Sequence, residues 1–245
     1  MNTSFHGKTA LVTAASEGLG FAAAKKLAAA GARVAICSRD PAKLGKARQA
    51  IAQWHGENSA IAIQADLTRA QDIESLMVEA MDRLGKIDIL VVNTGHMPYG
   101  SVVDLDDAAW YGSFELILMS AVRLARPVVR HMQSRKTGDI IFITSTGTRD
   151  STPHLVLSNV FRSGVMSFAK TLSHAVAGDG IRVSVLAPGY FDTGRVKQRI
   201  DELSVQEGLP RAEAARRITG APAVPATPKS SQPWWPSSPA AKWPS

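Results

Sequence analysis

The chain has 245 residues, 45% of them hydrophobic, which suits one large α/β domain or two small ones. No apolar run approaches the roughly eighteen residues of a membrane helix, and the short polar start over 1–8 does not read as a signal peptide, so no membrane partner is expected. A single cysteine, Cys37, excludes a disulfide framework and fits a reducing cytoplasm, while the +7 formal charge is scattered among acids rather than blocked as in a nucleic-acid patch.

Short β-branched runs alternate with longer segments of helical period. Strands are predicted over 9–13, 33–37, 60–64, 87–92, 139–144 and 182–186. Helices are predicted near 19–30, 41–54, 70–84, 107–133 and 155–178, followed by one helical stretch over about 196–218. Parallel neighbours need such crossovers, so the pattern implies a doubly wound parallel sheet covered on both faces. Loops this short leave no room for a second domain before residue 190. Cys37, inside the second strand among Val34, Ala35 and Ile36, reads as core. Composition then changes: residues 221–245 carry seven of the thirteen prolines, three of the five tryptophans and no acid, which reads as a disordered tail. The chemistry-bearing domain is therefore expected over 1–220.

The first strand runs into Thr13-Ala-Ala-Ser-Glu-Gly-Leu-Gly20 and then a helix. Strand, glycine turn and helix N-terminus together offer backbone N–H groups and a positive dipole end to phosphate. Gly18 and Gly20 let the main chain come close to a ligand, although tight turns favour glycine too. Arg39, just past the second strand, can pair a ribose 2′-phosphate, or be an exposed turn residue; Glu17 would repel that phosphate.

The loop resembles the Thr-Gly-x-x-x-Gly-x-Gly fingerprint of short-chain dehydrogenases/reductases, with Ala14 in place of the first glycine, where its methyl group meets a crowded turn. Further marks follow in register: Asp66 in Ala65-Asp-Leu-Thr, Asn93-Thr-Gly95 after the fourth strand, Ser145 ending the fifth, and Pro188-Gly189 with Thr193 after the sixth. The resemblance implies a Rossmann-type fold of six strands, with the family's seventh missing, and a nicotinamide cofactor, NADP or NAD, with Arg39 tilting the reading to NADP. It implies cofactor contacts at Thr13, Ser16, Gly18, Leu19, Gly20, Arg39, Asp66, Leu67, Asn93, Gly95, Arg162, Pro188, Gly189 and Thr193. Bland alternatives are helix capping for Asp66 and turns for the glycines. No metal site is expected.

The family polarises a carbonyl with a serine, moves the proton with a tyrosine, lowers that tyrosine's pKa with a lysine four residues on, and completes a relay with an asparagine. Ser145 matches the serine. Thirteen residues later stands Ser158, then Arg162, and Ile117 occupies the asparagine position. A serine hydroxyl is a far weaker acid than a phenol, and arginine holds its proton. The pattern resembles a divergent branch near the 3-oxoacyl-ACP reductases. Tyr190 is the candidate replacement acid, with Tyr99, His96 and His154 as further loop candidates; each is also explained by loop packing. Two functions follow: an oxidoreductase acting on a small carbonyl or alcohol, or a nucleotide-binding protein with little redox activity. The family is homo-oligomeric.

The tail has its own reading. With permitted codons, 228–240 read one frame over encode Glu-Glu-Leu-Ala-Ala-Val-Val-Ala-Phe-Leu-Ala-Ser, which resembles the family's ending. The expectation is a frameshifted terminus that leaves the sixth strand's edge unpaired and the oligomer surface incomplete. A natural low-complexity tail is the alternative.

Overall fold

A computed structural model describes residues 4–219, and the expectations for 221–245 fall outside them. The described residues form two compact units, one ending at Gly189 and the other beginning at Tyr190.

In the first unit the strands are β1 (Thr9–Val12), β2 (Arg33–Ser38), β3 (Ala60–Gln64), β4 (Ile89–Val92), β5 (Gly138–Ile143) and β6 (Ile181–Leu186). Between them run α1 (Gly18–Ala29), α2 (Pro41–His55), α3 (Ala70–Leu84), the long helix α4 (Asp107–Ser113) continued as α5 (Ser120–Arg135), and α6 (Val156–Ala175). The six strands form one parallel sheet in the order β3-β2-β1-β4-β5-β6. The predicted strands and crossovers are all present, with ends moved by at most three residues.

The sheet is apolar on both faces because each face carries helices. In β1 every residue is buried, and the side chains alternate: Leu11 joins a core with Ile73, Leu76, Leu124, Phe142 and Leu157, whereas Ala10 and Val12 join Ala24, Ala28, Leu44 and Ile51 on the opposite face. Helix α3 shows why these crossovers are helical: Ile73, Leu76, Met77, Ala80 and Leu84 recur at three- and four-residue spacing and make one buried stripe.

Asp88, at the foot of β4, accepts from the Thr9 backbone N–H at 3.0 Å and pairs with Lys86 at 3.1 Å and with Arg135 of α5. Burial raises its carboxyl, but the Arg135, Thr9 and Lys86 contacts outweigh that and hold the pKa at about 2. This cluster fixes the start of β1 against β4. It lies at the strands' N-terminal ends, away from the crevice that forms where the order reverses between β1 and β4.

One helix departs from regularity. Between α4 and α5, Phe114–Met119 is π-helical, and Ser120 Oγ donates to the Leu116 carbonyl at 2.6 Å. Such bulges interrupt the ordinary ladder and accumulate at functional sites. Ile117 sits inside it, fully enclosed.

The second unit holds α7 (Gly194–Glu207) and α8 (Arg211–Thr219), where one helical stretch over 196–218 was expected. Gly208 takes the left-handed conformation (φ 64°), and Pro210 prevents continuation, so the chain turns. Ile200, Leu203 and Ala214 pack between the two helices, and Arg211–Asp201 and Arg217–Glu207 pair across them at 2.7 and 2.6 Å.

Candidate active site

The turn after β1 is built around Thr13 and Asn93. Thr13 is fully buried; its hydroxyl donates to the Asn93 carbonyl at 2.6 Å and accepts from the Asn93 N–H at 2.9 Å. Asn93 in turn donates Nδ2 to the Ala14 carbonyl at 3.0 Å. A β-carbon on Gly20 would lie 2.6 Å from that same carbonyl and 2.7 Å from Asn93 Nδ2, so only glycine fits where α1 crosses the turn. Gly18 has φ 62°, which glycine adopts without strain. Ala14 has φ 46°. That left-handed backbone is a burden for any residue with a β-carbon.

Helix α1 begins without a side-chain cap and without an acid in its first turn. Its first N–H groups thus retain their capacity for an outside acceptor, at the positive end of the helix dipole. Glu17, just before them, pairs with Lys43 of α2 at 3.1 Å, a partner that the sequence did not reveal. Ser16 donates to Ser38 at 3.0 Å, tying the turn to the end of β2.

Beyond β2 and β3 lies a groove of about 390 Å³ lined by Arg39, Gln64, Asp66, Arg69, Asp72 and Ser75. Gln64 Nε2 donates to the Arg39 carbonyl at 3.2 Å. Asp66 Oδ1 accepts from the Thr68 N–H and hydroxyl at 2.9 and 2.8 Å, so its carboxylate shapes its own turn, while α3 starts later, after Arg69. Leu67 is buried beneath.

At the other end of the crevice, Ser145 follows β5. Its Oγ accepts from the Gly147 N–H at 3.2 Å, which leaves its own O–H available as a donor. Thr146 N–H donates to the Pro188 carbonyl at 3.0 Å, and a β-carbon on Gly189 would touch Thr146, so the loops after β5 and β6 meet there. Gly95 lies beside Leu116 of the π-helical segment. Asn159 of α6 donates to the Thr152 carbonyl at 2.9 Å and packs its Oδ1 against Gly147, bracing the Ser145 loop.

Ser158 is buried and Arg162 lies one turn on, as their spacing predicts. Arg162 Nε donates to Ser158 Oγ at 3.2 Å, Nη1 to the Ile143 and Thr144 carbonyls at 3.0 and 3.4 Å, and Nη2 to Thr94 Oγ1 at 3.4 Å. Burial pushes the guanidinium down to about 10, which leaves it charged at neutral pH. The loop after β4 is pinned by Gly100 N–H on the His154 carbonyl at 3.1 Å; His96 and His154 are exposed and Tyr99 is half-buried. Tyr190 and Thr193 belong to the second unit, where Thr193 caps α7.

Comparison with known protein families matches residues 8–204 to short chain dehydrogenase. The chain belongs to the short-chain dehydrogenase/reductase family. This is a family of oxidoreductases that act on CH–OH and C=O groups. The chain is 34% identical over 218 residues to the 3-oxoacyl-[acyl-carrier-protein] reductase FabG of Escherichia coli, covering 89% of this chain and 86% of that protein. It is 31% identical over 213 residues to human dehydrogenase/reductase SDR family member 4, covering 86% of this chain and 76% of that one. Among solved structures it resembles L-sorbose reductase from Gluconobacter frateurii complexed with NADPH and L-sorbose: TM-score 0.83, 28% identity, 89% of this chain and 82% of that chain. An actinorhodin polyketide ketoreductase solved with NADPH aligns with a TM-score of 0.81, 29% identity, and 90% and 83% coverage. The turn itself fits a dinucleotide: Gly20 lets α1 pack directly on the Ala14–Asn93 contact, and the first α1 amides there carry no side-chain cap.

Proposed function

We propose that this chain is an NADP(H)-dependent oxidoreductase of a small carbonyl or alcohol, working in a reducing cytoplasm as a homo-oligomer. In this reading Gly18, Leu19 and Gly20 present N–H groups to the pyrophosphate with Ser16 alongside. Arg39 meets the 2′-phosphate, Asp66 and Leu67 border the adenine, and Asn93, Gly95, Pro188 and Gly189 line the nicotinamide end. The observation that carries it is the uncapped start of α1 above the Gly20–Asn93 contact. The Lys43 partner of Glu17 supports NADP over NAD, since it offsets the acid in the turn after β1.

When bound, the nicotinamide supplies or accepts the hydride. Ser145 holds the substrate oxygen by donating its hydroxyl hydrogen, kept free because its lone pair serves Gly147. As negative charge grows on that oxygen, the Ser145 donor and the Arg162 charge stabilise it. Ser158 is too weak an acid to complete the step, so the proton comes from water. Titration of the folded protein with NADPH and NADH, followed by turnover of a carbonyl panel, tests this. Absence of binding by either dinucleotide at millimolar concentration overturns it.

A second reading, dinucleotide binding with little redox activity, is favoured by Ile117 and by the Arg162 bonds to strand carbonyls. Binding without turnover of any carbonyl would select it.

A further inference from the structure

Asn159, next to Ser158 on α6, carries an acceptor that no described group satisfies. Its Nδ2 donates to the Thr152 carbonyl at 2.9 Å, and that carbonyl, able only to accept, fixes which end of the amide faces it. Oδ1 is thereby turned inward, where it is buried and has no hydrogen-bond partner among the described residues. A buried acceptor without a donor costs free energy, so it persists only where the surrounding structure holds it in place.

Oδ1 faces Gly147. A β-carbon at 147 would lie 2.7 Å from Oδ1 but 3.5 Å from Ser145 Oγ, an ordinary contact, so Asn159 is the group that reserves this position for glycine. The amide cannot swing aside freely, because its other end is tied to Thr152, whose carbonyl also accepts from the Leu155 N–H at 3.0 Å. Gly147 is itself buried, and its N–H donates to Ser145 Oγ at 3.2 Å. A serine side chain has three staggered positions, and the bond to Gly147 selects one of them. Thr152, Asn159, Gly147 and Ser145 thus form one chain of contacts from the start of α6 to the residue that follows β5.

We propose that Asn159 is a positioning residue for Ser145: its clamped amide seats Gly147, the Gly147 N–H holds Ser145 in one rotamer, and the Ser145 hydroxyl is thereby kept as donor to the substrate oxygen. This role rests on the reading of Ser145 as the substrate-facing residue. With Ser158 so weak an acid, the orientation of the Ser145 donor weighs more heavily on the rate.

Two readouts test it on the full chain, each over Asn159→Ala, Ser145→Ala and the double variant. The first is kcat for a carbonyl that the native protein reduces with NADPH. The second is hydrogen exchange at the Gly147 amide, followed by NMR, which needs no turnover. Asn159→Ala is expected to lower kcat about tenfold, with KM and NADPH affinity changed by about twofold or less, and to speed Gly147 exchange about tenfold. In the Ser145→Ala background the same substitution should change kcat or exchange by about twofold or less, because nothing remains to be positioned. A bracing role alone would give losses that add, and such additivity overturns the proposal. So does a native kcat, or a native rate of Gly147 exchange, in folded Asn159→Ala. Asn159→Asp keeps the size and Oδ1 but loses the donor to Thr152, and it supplies the same comparison where the alanine variant fails to fold. If Ser145→Ala leaves Gly147 exchange at its native rate, the Oγ bond carries no weight and the proposal falls without any change at 159. Absence of turnover by the native chain is a separate result: it removes the reading of Ser145 as substrate-facing, while the exchange measurements still decide whether Asn159 places Ser145.

Discussion

Asn93 donates its side-chain amide to the Ala14 carbonyl at 3.0 Å, and a β-carbon at Gly20 would strike both groups, at 2.7 and 2.6 Å. Three segments, the turn after β1, the start of α1 and the end of β4, thus share one close contact. Gly20→Ala is expected to force them apart, lowering stability by about 2 kcal/mol and weakening NADPH by tenfold or more. Urea unfolding and dinucleotide titration read the two effects; native stability with native affinity would refute the packing argument.

Ala14 offers the opposite experiment. A left-handed alanine costs about 1–2 kcal/mol, part of which the greater freedom of glycine in the unfolded chain takes back. Ala14→Gly should therefore stabilise the protein by about 0.5–1 kcal/mol, a rise of roughly 2–3 °C in Tm for a domain of this size. A fall in Tm would show that the φ of 46° carries no strain.

The two serines, Ser145 and Ser158, should separate in kinetics. Ser145→Ala removes the donor to the substrate oxygen and should lower kcat by about 10²–10³. Ser158→Ala removes a weak acid whose Oγ accepts from Arg162, and should change kcat by about threefold or less. Steady-state rates of both variants on one carbonyl substrate decide the matter, and the reverse order would overturn the assignment.

Glu17 and Lys43 bear on cofactor choice. Both are more than half exposed at the side chain, so their 3.1 Å pair adds little stability. Glu17→Gln should leave Lys43 free for an added phosphate and tighten NADPH by about two- to fivefold at low salt, with NADH unchanged and the gain shrinking as salt rises. An equal change for both dinucleotides would place this pair away from the 2′-phosphate.

Asp88 sets an acid limit on the fold. Its folded pKa of about 2 lies below the ordinary 3.8, so its contribution is complete above the unfolded value and is lost as pH falls through the folded one. The difference corresponds to about 2 kcal/mol. Asp88→Asn should cost about that much at pH 7 and progressively less from pH 4 to pH 2, measured by denaturant unfolding across pH. A penalty that does not change over this range would contradict the ion-paired description.

The alternation of apolar runs and helical stripes sufficed to place all six strands, because a parallel strand buried on both faces and a one-sided crossover helix write different periods into the chain. The glycines at 18 and 20 and the register from Ser145 to Ser158 and Arg162 were legible for the same local reason: backbone conformation and helix spacing depend on neighbours in sequence. Gly208 and Pro210 were also visible, yet the periodicity on either side concealed that they end one helix and permit another. What the sequence could not state is which distant groups meet. Lys43 reaches Glu17 across 26 positions and Arg162 reaches Thr94 across 68, because the sheet order sets β1 beside β2 and β4 beside β5. The π-helical turn around Ile117 leaves no pattern of its own, since one extra residue per turn alters only where side chains point. The sequence thus determined the scaffold and the glycine turn after β1. Tertiary structure alone decided that the Arg162 charge lies buried among neutral partners, because burial and pairing arise only when strands distant in sequence come together.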